Sequence, residues 1–157
     1  MSLVEATTAQ ATARGLEQTL TVAVPDLRKY TEAEAAFKPA PEKWSKKEIL
    51  GHLIDSALNN HQRFIRAQQG PLELPGYAQD FWVAAQGYQE TDWETLILLW
   101  AVVNRHLVRV MQRIPAAALQ QTCKIGAHAP VTLEYIVEDY LVHLHHHLRQ
   151  AQVTYST

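Results

Sequence analysis

Four of the eight histidines in this 157-residue chain fall within one short stretch, VHLHHHLRQ at positions 142–150. Imidazole titrates near neutral pH and offers a lone pair to metal ions, so such a density points to proton chemistry, a metal site or a packed core. Leucines interrupt the run and LRQAQVTYST continues beyond it, unlike an expression tag. On a helix, His143 and His147 lie one above the other on a single face. At about 100° per residue, the apolar stripe of Leu133, Val137, Tyr140, Leu144, Leu148 and Ala151 runs just beside them. The pair therefore borders the core, with His146 turned further toward solvent and His145 over the opposite edge.

An earlier segment offers a third imidazole in the same register. His52 stands at the border of its own apolar stripe, and Ser56, Asn59 and Arg63 continue from it as a polar strip. Two histidines at i and i+4, joined by one from a facing helix, can supply three nitrogens to one divalent ion. Three protein ligands with an open position mark catalytic sites, whereas structural zinc sites are closed by four. The competing reading is a set of hydrogen-bonded core histidines, because a polar strip beside a core is costly without partners. His106, at the edge of another stripe, is a reserve ligand, and His146 a candidate support for the ligands. His61 and His128 read as ordinary polar positions, His145 as a surface residue, and Trp44 and Trp100 as core. Cys123 reads as a loop thiol that nothing local would activate.

The elements that must position these groups are well punctuated. WSKKEILGHLIDSALNNHQRFIRAQQG opens on Ser45 with Glu48 three residues on, a capping box, with Trp44 and Ile49 as a hydrophobic staple. Gly70 and Pro71 end it. TDWETLILLWAVVNRHLVRVMQRIP repeats the device, with Thr91 as cap, Glu94 closing the box and Pro115 as stop. VTLEYIVEDYLVHLHHHLRQAQ starts at Thr132. The first helix, around ATARGLEQTLTVAV, should be kinked or divided by Pro25. PLELPGYAQDFWVAAQGYQE reads as a loop carrying one short helix, and no segment shows the alternation of a strand. The expectation is an all-α protein, a four-helix bundle filling 1–157 as one domain. Its long connections, 70–90 and 115–131, leave room for crossovers.

Composition narrows the functional classes. Hydrophobic residues make up 47%, charged residues 19%, and the net charge is −2. With no basic cluster, no nucleic-acid surface is expected. The single cysteine excludes an internal disulfide and suits a reducing cytoplasm. MSLVEATTAQ lacks the marks of a signal peptide, and no apolar run would span a bilayer. Glu-x-x-His, HExxH, phosphate-loop, GxGxxG and GxSxG motifs are all missing.

WSKKEILGHLIDSALNNHQRF together with DYLVHLHHHLRQ resembles the DinB/YfiT-like superfamily of metal-binding four-helix bundles. The resemblance implies that His52, His143 and His147 are the metal ligands, holding a divalent transition ion such as nickel or zinc. Better-understood members are S-transferases using bacillithiol, mycothiol or glutathione, and a mycothiol-dependent maleylpyruvate isomerase. HLIDSALNNHQRF resembles the bacillithiol-transferase branch in Asp55, Ser56, Asn59 and Arg63. On that likeness Arg63 would meet an anionic group of the thiol cofactor, the alternative being a surface or bundle-bridging arginine. At such a site Asp55 and Asp139 are candidates for orienting ligand N–H groups, or else solvated helix carboxylates. A small-molecule substrate and a homodimer are also implied. Three readings follow: a thiol-dependent metallotransferase, a metal-dependent hydrolase with the same ligands, and a non-catalytic metal-binding or interaction bundle.

Overall fold

The computed structural model describes residues 5–157. Four long helices dominate: α1 (Thr8–Leu27), α3 (Lys46–Arg66), α5 (Trp93–Arg113) and α6 (Leu133–Gln150), with the short α2 (Glu32–Ala36) and α4 (Gln79–Ala85) in the connections. Their starts follow from local chemistry. Thr7 with Gln10, Thr31 with Glu34 and Ser45 with Glu48 form complete capping boxes, and the Thr132 hydroxyl accepts from the Tyr135 amide.

Two boundaries differ from expectation. Helix α5 is capped by Asp92, whose carboxylate accepts from the Thr95 amide at 3.0 Å. The Thr91 hydroxyl is already engaged, donating to the Gly87 carbonyl at 3.0 Å. Glu94 closes no box and pairs with Arg28 at 2.8 Å instead. Pro25 does not divide α1 either. It sits in the last turn, where the helix ends two residues later, so only its own backbone bond is forfeited.

Helix α1 packs against α5 and α6, and α3 packs against the same two. α1 and α3 thus occupy one diagonal of the bundle, α5 and α6 the other. The chain crosses the bundle between α1 and α3, through residues 28–45, and again between α5 and α6, through the 115–131 connection. The 70–90 connection joins the neighbours α3 and α5. Leu16, Leu53, Phe64, Trp100, Leu107 and Leu148 lie in the centre, each at most 1% exposed. Burial of such side chains contributes roughly 1.5–3 kcal/mol apiece.

The expectation of no strands is corrected by a small sheet. β1 (Leu72–Leu74), β2 (Thr122–Ile125) and β3 (Val131–Thr132) pair in that order, β1 with β2 parallel and β2 with β3 antiparallel. Leu72 faces Cys123 and Thr122 faces Thr132. Strands of three, four and two residues are too short for alternation to register. Their partners also lie far apart in sequence. The sheet ties the 70–90 connection to the 115–131 connection and brings both against the end of the α3–α6 gap.

Candidate metal centre

His52 is 1% exposed on α3, and its Nε2 lies 3.3 Å from the Nε2 of His143 on α6. One turn further along α6, His147 Nε2 stands 3.1 Å from the same His143 atom. One ligand atom from each of the three lies within 4.8 Å of the others. Imidazole nitrogens at about 2.0–2.1 Å from a tetrahedral zinc ion stand about 3.3 Å apart, so the spacing fits a shared ion.

The electrostatics fit as well. Burial, reinforced by His147 and His143, lowers the His52 pKa to about 3. Burial with His147 and His146 lowers that of His143 to about 4. Burial also lowers His147, partly opposed by its bond to Gln150. The imidazoles are neutral at neutral pH, the form that donates a lone pair. His147 Nδ1 donates to Gln150 Oε1 at 2.7 Å, which fixes the tautomer and leaves Nε2 free to ligate. Trp44 closes one side, its ring 5.1 Å from that of His52 and 6.4 Å from that of His147. His52 Nδ1 is buried without a hydrogen-bond partner.

On the other side the centre opens into a cleft of about 540 Å³. Helix α3 lines it with Ser56, Asn60 and Arg63, and α6 with Tyr135 and Asp139. The sheet-linked connections contribute Tyr77 and His128. Arg63 is half-buried and joins no ion pair among the described residues. Burial pushes its pKa down, against the opposing influence of Tyr77 and Cys123.

The sequence pattern of the DinB superfamily matches residues 15–151. The chain belongs to the DinB superfamily. No curated protein sequence matches it. Among solved structures, this DinB-superfamily chain is similar to YfiT from Bacillus subtilis, at 15% identity and a TM-score of 0.83. The match covers 97% of this chain and 88% of that one, and YfiT is described as a probable metal-dependent hydrolase with an unusual four-helix bundle topology. The likeness establishes the DinB fold.

Within the DinB frame, the structure brings His52, His143 and His147 together and leaves the other histidines out. His106 is exposed on α5, its ring 5.3 Å from that of His61 and away from the trio. His146 is exposed, its ring 5.0 Å from that of His147. His145 is not the surface residue expected. It is half-buried, with Nε2 2.8 Å from the Thr19 hydroxyl and its ring stacked 4.2 Å from Tyr155. That hydroxyl donates to the Gly15 carbonyl, so His145 donates to Thr19.

Asp55 orients none of the trio. Fully buried, it accepts from the Tyr88 hydroxyl at 2.7 Å and the Gln86 amide at 2.8 Å, and burial raises its pKa. Asn59 is likewise turned away, donating to the Asp55 carbonyl at 2.9 Å. Trp100 is core, but Trp44 belongs to the wall of the site. Cys123 is buried in β2 rather than in a loop, and burial raises its thiol pKa. Gln150 was legible as a neighbour three residues from His147. Tyr77 and His128 reach the cleft only through the sheet, and nothing local marks them.

Proposed function

We propose that His52, His143 and His147 hold one divalent transition-metal ion, nickel or zinc, and that the protein is a metal-dependent transferase acting with a low-molecular-weight thiol. The observation that carries this reading is three neutral imidazole nitrogens, 3.1 and 3.3 Å apart along the chain of contacts, two of whose residues, His52 and His143, line a cleft of about 540 Å³. An ion held by three neutral ligands supplies Lewis acidity at an open position, lowering the pKa of a thiol or water there toward neutrality. The protein's own groups do the rest. Gln150 fixes the His147 tautomer that leaves Nε2 free, and Trp44 packs against the His52 and His147 rings. Arg63, in no ion pair among the described residues, offers its guanidinium to an anionic group of the thiol. The likeness of HLIDSALNNHQRF to bacillithiol-dependent transferases supports the choice of a thiol.

A second reading, a metal-dependent hydrolase, is favoured by the fold shared with YfiT, itself described as a probable hydrolase of that kind. Cobalt-substituted protein separates the two. Thiols that shift the cobalt absorption bands support the transferase, and thiols without effect support the hydrolase. The underlying site is tested by elemental analysis of untagged protein. About one ion per chain is expected in the parent and in His145→Ala, with loss in His52→Ala, His143→Ala and His147→Ala. Equal metal in all of them removes the ligand assignment.

A further inference from the structure

We infer that His61 on α3 and His106 on α5 form a second metal site, which takes a divalent transition ion between the two helices and exchanges it with solution. It is separate from the histidine trio and does not depend on the reading of that site.

The two rings meet across the contact of α3 with α5, their centroids 5.3 Å apart and their planes inclined at 48°. In the trio, where three nitrogens converge, the centroids are 4.5, 4.6 and 5.1 Å apart. Two imidazoles on one tetrahedral ion, each nitrogen at about 2.0–2.1 Å from it, set their ring centres about 5 Å apart. His61 and His106 therefore stand at the spacing of a shared ion. They cannot share the ion of the trio. His61 follows His52 by nine residues, two and a half turns of α3, so it leaves the opposite side of the helix about 14 Å further along.

No protein group engages these two rings otherwise. The imidazole hydrogen bonds among the described residues belong to His52, His143, His145 and His147. No described carboxylate pairs with His61 or His106. His61 is half-buried and His106 exposed. About one turn away stand Leu58 and Ile65 on α3 and Val102 on α5, all exposed apolar side chains. A half-buried ring nitrogen without a partner in such surroundings is costly. One ion supplies a partner to both rings at once.

The ligand set also fixes the character of the site. Helix α3 has no Asp or Glu from 56 to 66 and α5 none from 95 to 113, so the protein offers two nitrogens and no carboxylate. Water fills the other positions, unlike a structural site closed by four protein ligands. Such an ion leaves on dialysis, so one ion per chain remains the expectation for the protein as isolated. Among divalent ions that accept imidazole, copper(II) binds most tightly, ahead of nickel and zinc.

Copper(II) is titrated into the full chain and into His52→Ala/His143→Ala, which lacks two of the trio. Paramagnetic broadening of the histidine ring-proton NMR signals shows where the ion sits. The His61 and His106 signals should broaden together in both proteins. His61→Ala or His106→Ala should weaken binding at the remaining ring roughly tenfold or more. Occupancy of the trio is read separately, from its own ring signals, and the parent alone decides the matter if the double variant loses helicity. Broadening of one ring without the other, or unchanged binding in either single variant, overturns the inference.

Discussion

At the scale of single residues, the site depends on three imidazoles staying neutral. Unfolded histidine titrates near 6.5, whereas in the fold His52 takes a proton only at about 3 and His143 at about 4. Between those values the unfolded chain binds more protons than the folded one, so stability rises with pH there and falls on acidification. The metal-free protein should therefore lose stability progressively from about pH 6.5 down to about 4. Urea midpoints across that range check this, with His143→Asn as comparison. The variant lacks one of the depressed groups and should decline less steeply. Equal slopes would mean that His143 titrates normally in the fold. Above this range the imidazoles present lone pairs, which is the state a metal requires.

At the scale of elements, α3 is the frame of the site, and its contact with the turn at Tyr88 depends on a missing side chain. A Cβ on Gly51 would lie 2.1 Å from Tyr88 Cδ2, deep inside a ring already bonded to Asp55. A Cβ on Gly15 in α1 would meet only the end of Leu141, at 2.9 Å. Alanine is worth up to about 1 kcal/mol over glycine inside a helix, and overpacking costs about 1–3 kcal/mol. Gly51→Ala should thus destabilise, displacing Tyr88 and orphaning the buried Asp55, while Gly15→Ala should be near neutral or stabilising. Chemical denaturation of both variants ranks them, and the same sign and size for both would refute the contact. The punctuation of these helices was largely readable, since a capping box is written in residues three apart. The start of α5 was misplaced by one residue because both Thr91 and Asp92 can cap. What decided between them was the turn just before the helix, where the Thr91 hydroxyl donates to the Gly87 carbonyl four residues back.

At the scale of the whole molecule, the trio joins α3 to α6, neighbours in space whose sequence positions are separated by α5. An ion bound there would clamp two sides of the bundle. Adding zinc or nickel to metal-free protein at about a hundred times its Kd should raise the melting temperature by roughly 5–10 °C. His147→Ala should abolish most of the gain while helicity by circular dichroism stays near that of the parent. A full thermal shift in the variant would place the ion elsewhere. Among the described residues no helix is long and apolar enough to cross a membrane.

The sequence by itself determined the four long helices, their apolar faces and the register that sets His52, His143 and His147 at the border of the core. Those features are local: caps act over three residues, and periodicity repeats every three or four. The tertiary structure alone decided how near the three nitrogens come, that Trp44 packs against two of their rings, and that Asp55 serves Tyr88 instead of a ligand. It also decided the diagonal order of the helices and the small sheet that carries Tyr77 and His128 to the cleft. Each of these depends on pairings between segments tens of residues apart, where the strands are too short and the side chains too ordinary to announce their partners.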